Sequence, residues 1–166
     1  MSELPRVLGE IATYVATGPR VAGREKGDDK PAISHSALTV LIAEDDSLSA
    51  ILSRRLVAKV LPQATILEAT DGAVAVRLYE SERPEIILRD IQMPECDGYQ
   101  ATREIRELAR TSGEAQPLIV AVTARIFGDE KRRCLEAGMD YCIAKPIGFQ
   151  TLRRVLEQHL GRLRPV

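Results

Sequence analysis

Three uninterrupted apolar runs constrain this chain more than any other feature: VLIA at 40–43, IIL at 86–88 and LIVAV at 118–122. Each is of strand length, and none shows the polar alternation of a sheet with one wet face. Strands that are apolar on both sides need cover on both sides, which is the condition of a parallel sheet between two helical layers. The intervening segments supply the helices. Residues 47–60 carry apolar side chains at 48, 51, 52, 56 and 60, a helical stripe. In chain order the pattern predicts strands over 39–43, 65–68, 85–89, 118–122 and 141–144. It predicts helices over 47–60, 72–79, 99–108, 128–137 and 149–163, the fourth closing on Gly138. Five strand–helix units in alternation imply an α/β fold with a parallel sheet.

The first 37 residues read differently. Leu4, Leu8, Ile11 and Val15 lie on one face of an amphipathic helix that is too short to be stable alone. It is a docking or dimerisation helix, or a remnant of a longer protein; the sequence does not choose. Residues 18–36 hold three Gly, two Pro and seven charged residues, the composition of a flexible linker. The pattern therefore divides the chain into a segment over 1–37 and a domain over 38–163. Thirty-seven residues are too few for a kinase core or a DNA-binding domain, and the chain stops soon after 163. A stand-alone domain or a piece of a larger protein is expected.

Twenty-three basic against 24 acidic residues leave a net charge of −1, without the basic footprint of a nucleic-acid binder. No apolar run approaches the roughly 20 residues that span a bilayer, and the N-terminus does not resemble a secretory signal. Cys96, Cys134 and Cys142 follow no CxxC spacing and read as free, buried thiols in a reducing, cytoplasmic setting.

In open parallel sheets the working site lies beyond the carboxyl ends of the strands. Here those ends carry Glu44, Asp45 and Asp46 after the first strand, Asp90 after the third, Thr123 after the fourth and Lys145 after the fifth. The second offers Thr70 and Asp71. Acids grouped this way repel one another unless a cation joins them. An all-oxygen donor set suits Mg²⁺, with Mn²⁺ as a possible substitute. A metal, an ammonium and a hydroxyl around one carboxylate can neutralise the oxygens of a transferring phosphoryl group. Asp90 would then be the nucleophile, forming an acyl phosphate. Pro94 would fix the loop that follows, and Gly98 would permit the backbone turn into the next helix.

The ordered pieces VLIAEDD, IILRDIQMPECDGY, IVAVTA and AGMDYCIAKPI make residues 38–163 resemble the receiver domain of two-component response regulators. The wording around DIQMP is most similar to receivers attached to hybrid histidine kinases. The resemblance implies a doubly wound, flavodoxin-like (βα)5 fold with sheet order 2-1-3-4-5. It implies that Asp90 is the phosphoacceptor and that Glu44, Asp45 and the backbone carbonyl of Gln92 complete the Mg²⁺ site. Thr123 would be the switch hydroxyl and Lys145 the ion-pairing lysine. A histidine kinase or histidine phosphotransfer protein would be the donor, and residues near 128–163 the surface offered to an output partner. A signalling acceptor of this kind turns over no separate substrate.

Several positions depart from the family pattern or have a plainer reading. Cys142 stands where receivers usually carry Tyr or Phe, and Tyr141, one step earlier, is expected on the opposite face of the sheet. The aromatic gating step is therefore expected to be weakened or rerouted. Arg89 replaces a usually apolar residue, and its environment is open. Gln92 and Arg125 are expected to flank the phosphoryl group and set its lifetime. Asp46 is expected to cap the following helix rather than bind metal, and Asp97 to start a helix. His35 and His159 lack the helical-bundle setting of a phosphohistidine, and no GxxxxGK nucleotide loop is present. The rival functions are a Mg²⁺-dependent phosphohydrolase with an aspartyl-phosphate intermediate, and an unphosphorylated interaction module.

Overall fold

The computed structural model describes residues 38–93 and 97–162. The expected helix and linker before 38, together with His35, Pro94, Cys96 and Leu163, lie outside the described residues. The elements alternate as β1 Thr39–Ala43, α1 Ser47–Val60, β2 Thr65–Ala69, α2 Gly72–Glu82, β3 Ile86–Asp90, α3 Gly98–Ser112, β4 Leu118–Thr123, α4 Gly128–Ala137, β5 Tyr141–Ala144 and α5 Phe149–Arg162. All strand pairs are parallel, in the order β2-β1-β3-β4-β5. This is the doubly wound arrangement expected from the sequence.

The apolar runs are buried on both faces as their composition requires. One face packs Val40, Ile42, Leu88 and Val120 against Val57 and Val60 of α1 and Leu152, Val155 and Leu156 of α5. The other packs Leu41, Ile87 and Ile119 against residues of α2, α3 and α4, among them Tyr79, Ile105 and Cys134. Among the described residues no helix is long and apolar enough to cross a membrane.

Three strands reach one residue further toward the rim than the pattern predicts. β2 ends at Ala69, β3 at Asp90 and β4 at Thr123, so Asp90 sits opposite Val122 and Thr123 opposite Ala144 within the ladders. Helices α2 and α3 also run on, to Glu82 and Ser112, where Arg83 and Gly113 turn left-handed and stop them. Apart from the buried Ala109 their extra residues are polar, so apolar periodicity registered little of them. Arg106 of α3 ties this side together, donating to the carbonyls of Gly138 at 2.8 Å and Pro117 at 2.6 Å and pairing with Asp140 at 2.7 Å.

The α1 stripe is divided in the structure: Val60 is buried and Leu56 packs against the core. Leu48, Ile51 and Leu52 are 65%, 49% and 50% exposed, and the face turned inward carries Ser53, Val57 and Val60. The helix has two apolar stripes, and the inward one includes a serine small enough to approach the sheet. Val57→Ala is expected to cost roughly 2 kcal/mol in urea unfolding. Ile51→Ala should change stability by no more than about 0.5 kcal/mol. The reverse order would contradict this division of the helix.

Candidate functional site

Asp90 closes β3 with its carboxylate at the rim, and the chain folds back over it at once. The backbone N–H of Gln92 donates to Asp90 Oδ1 at 2.8 Å. Its other oxygen, Oδ2, takes a 2.7 Å hydrogen bond from Lys145 Nζ. The same ammonium lies 2.7 Å from Glu44 Oε2, and Glu44 Oε1 accepts from the backbone of Asp46 at 3.2 Å. One lysine from the end of β5 thus bridges carboxylates from β1 and β3. The Lys145–Pro146 peptide is cis.

Asp45 completes a triangle. Glu44, Asp45 and Asp90 can each offer an oxygen, all within 4.8 Å of one another. Glu44 and Asp90 are buried and Asp45 is exposed, so the cluster opens to water on one side. Three carboxylates against one ammonium leave a net negative pocket, and its all-oxygen donor set with a wet face fits Mg²⁺.

The electrostatics follow from this crowding. Burial pushes the Glu44 carboxyl above its ordinary 4.5, and the charge of Asp90 adds to that, while the hydrogen bond from Lys145 opposes it. Burial alone would lower the Lys145 ammonium, but hydrogen bonds to Asp90 and Glu44 outweigh it and hold the pKa above 10.5.

Thr123 is fully buried at the end of β4, and its hydroxyl is turned toward its own loop. It accepts from the backbone N–H of Arg125 and donates to the Arg125 carbonyl, both at 3.1 Å. The structure therefore brings Glu44, Asp45, Asp90 and Lys145 into contact distance and leaves the Thr123 hydroxyl committed to Arg125. The side chains of Gln92 and Arg125 are exposed. Asp46 caps α1 by accepting from Ser49 N–H at 2.8 Å, and Asp97 caps α3 by accepting from Tyr99 N–H at 3.0 Å, as their positions predict. Tyr141 packs on the α1–α5 face and Cys142 on the opposite one, again as the strand alternation predicts. His159 is a half-buried residue of α5.

Two features escape the sequence reading. Arg89 is wholly buried, within a row of small residues that crosses the sheet: Ala69, Ala43, Arg89, Ala121 and Cys142 are in register on successive strands. Gly98 belongs to the same accommodation, since a Cβ there would stand 3.2 Å from Arg89 Nε. The second is an apolar groove of about 440 Å³, lined by Leu52, Leu56 and Ile147 among others, that runs up to Lys145.

Residues 40–157 match the model of the response regulator receiver domain, and the chain belongs to that family. Among its relatives are sensor histidine kinase RcsC of Salmonella typhimurium, 32% identical over 164 residues, and histidine protein kinase 1 of Candida albicans, 38% identical over 160. These alignments cover 98% and 92% of this chain, which spans 16% and 6% of those relatives' lengths. Among solved structures, the receiver domain of a Pseudomonas aeruginosa sensor histidine kinase, with magnesium in its active-site cleft, superposes with TM-score 0.64 at 30% identity, covering 76% of this chain and 99% of that one. The receiver domain of the Saccharomyces cerevisiae regulator Ssk1, solved with the phosphotransfer protein Ypd1, gives 0.67 at 25% identity, covering 74% and 88%.

The raised Glu44 carboxyl has a measurable consequence. A carboxyl whose pKa rises on folding favours the folded state below its unfolded value, here 4.5, and that contribution is lost as pH climbs through the folded value. Without divalent ions, the stability of the wild type relative to Glu44→Gln is expected to fall as pH rises through the window just above 4.5. A pH-independent difference in urea titrations would contradict it.

Proposed function

We propose that this receiver accepts a phosphoryl group from a phosphohistidine donor onto Asp90 and thereby switches a partner-binding surface. The observation that carries the reading is Lys145 Nζ, 2.7 Å from both Asp90 and Glu44, inside a three-carboxylate cluster on a receiver fold. Glu44, Asp45, Asp90 and the Gln92 carbonyl would hold Mg²⁺, or Mn²⁺ in its place. When bound, that ion supplies positive charge to the phosphoryl oxygens.

An oxygen of Asp90 attacks phosphorus and the bond from phosphorus to the histidine nitrogen breaks. The electron pair stays on the leaving imidazole nitrogen, which is then protonated. Lys145, already held as a cation at Asp90, is placed to pair with a phosphoryl oxygen. Thr123 needs only to release the Arg125 backbone to offer its hydroxyl to another. That release moves the loop leading into α4, which couples the site to the surface near 128–163. Exposed Phe127 and Leu135 support this region as the output face. On the donor side, exposed Leu48, Ile51 and Leu52 of α1 border the rim and suit a histidine kinase or phosphotransfer protein. Hydrolysis of the acyl phosphate resets the domain, which spans 38–163 in this reading. The uncombined thiols Cys134 and Cys142 fit a cytoplasmic setting.

Incubation with acetyl phosphate and Mg²⁺ is expected to add one phosphoryl group by intact mass. The adduct should disappear in Asp90→Asn or with excess chelator. An adduct retained in Asp90→Asn would overturn the assignment, and steady turnover of phosphate esters would favour a phosphohydrolase instead. Gln92→Ala and Arg125→Ala are expected to shorten the adduct's lifetime several-fold, because their side chains stand exposed on the loops that flank Asp90 and Thr123. Unchanged lifetimes would remove them from that role.

A further inference from the structure

Arg89 is 0% exposed, the most deeply buried charged side chain among the described residues, and the phosphoryl reading has no use for it. It stands directly before Asp90 in the chain. Taking a guanidinium out of water is costly, and an apolar side chain would fill the same space without that cost. The cation is nevertheless given room. Ala43 and Ala121 flank Arg89 in register on β1 and β4, and Gly98 lies against its Nε.

A Cβ at Gly98 would stand 3.2 Å from Arg89 Nε, 3.2 Å from Ile91 Cα and 3.3 Å from the Ile91 carbonyl oxygen. Three parts of the chain thus converge on one point: the buried cation, the residue just after Asp90 and the first residue of α3. Ile91 and Gly98 are the two ends of the loop that carries β3 into α3, so the point is the base of that loop. Gln92 comes next on the loop, and its backbone N–H donates to Asp90 Oδ1 at 2.8 Å. We propose that Arg89 is a positioning residue, which holds the base of the β3–α3 loop closed and so sets the Gln92 backbone against Asp90. A guanidinium suits this task because its five donors form a rigid, planar fork, which an apolar side chain lacks.

In this role Arg89 acts through the loop and not on the reacting atoms. The Gln92 backbone carries the N–H that fixes Asp90 Oδ1 and, in the proposed function, the carbonyl that holds Mg²⁺. A loop held at its base presents both groups without rearranging when the ion arrives, as the partners behind a metal ligand do. That consequence for Mg²⁺ rests on the proposed function, whereas the hold on Gln92 does not.

The test compares the full chain with Arg89→Met, which keeps an unbranched side chain without the charge, and Arg89→Lys, which keeps the charge without the fork. Amide hydrogen exchange is followed by NMR in metal-free protein. In Arg89→Met, exchange at Gln92 is expected to be about tenfold faster, with Ile42 of β1 and Val120 of β4 unchanged. Magnesium affinity by titration calorimetry is expected to weaken roughly tenfold. Arg89→Lys should fall between the wild type and Arg89→Met in both measurements. Unchanged exchange at Gln92, or a rise shared equally by Ile42 and Val120, overturns the proposal, because a side chain that only fills the core would loosen the sheet as a whole. Faster exchange at Gln92 with unchanged magnesium affinity would uphold the hold on the loop and count against the Gln92 carbonyl as a metal ligand. Should Arg89→Met fail to fold, Gly98→Ala presses on the same point. It is expected to speed exchange at Gln92 and leave Val120 protected, and unchanged Gln92 exchange there would overturn the proposal equally.

Discussion

Lys145 is the point on which the rim of this sheet depends. Two carboxylates, Glu44 and Asp90, are drawn below the surface at the ends of adjacent strands, and burying such charges is costly unless they are paired. The ammonium reaches both at 2.7 Å from the end of β5. It arrives there because β4 stands between β3 and β5 and the ladder is closed by the Lys145 N–H bonding to the Thr123 carbonyl at 2.7 Å. A single side chain therefore links three strand ends to one electrostatic balance. In the proposed function the phosphoryl chemistry would exploit the same balance, since a new anion on Asp90 would redirect the cation already present.

The rest of the rim is organised around what that cluster leaves open. Asp46 turns away to cap α1, which keeps it out of the donor triangle, while Asp45 faces water. Thr123 is buried and bonded to the backbone of Arg125, so its hydroxyl is held beside the site but not in it. Below, the side chain of Arg89 is sheathed by alanines on the strands to either side and by Gly98 at the start of α3. A large cation replaces the family's apolar residue, and at the far end of the same row a small cysteine replaces its aromatic one. The two positions stand two strands apart on one face of the sheet.

Much of this was legible in the sequence. The strand–helix order followed from period and from runs that are apolar throughout. The site residues were legible because each polar group stands at or just past the end of an apolar run, and in a parallel sheet all such positions come to one edge. The opposite facing of Tyr141 and Cys142 needed only the two-residue repeat of a strand. The environment of Arg89 was not legible, because the alanines that make room for it are remote in sequence.

What the sequence by itself determined was the class of fold, the identity of the carboxylates, hydroxyl and ammonium at the rim, and the family those residues belong to. Tertiary structure decided which stripe of α1 turns inward, how far β3 and β4 carry Asp90 and Thr123 into the ladder, and where the Thr123 hydroxyl points. The physical reason is common to all three. A local pattern specifies the period of an element, whereas its rotation, its last residue and its contacts are settled by which neighbours offer space and hydrogen-bond partners once the sheet has formed.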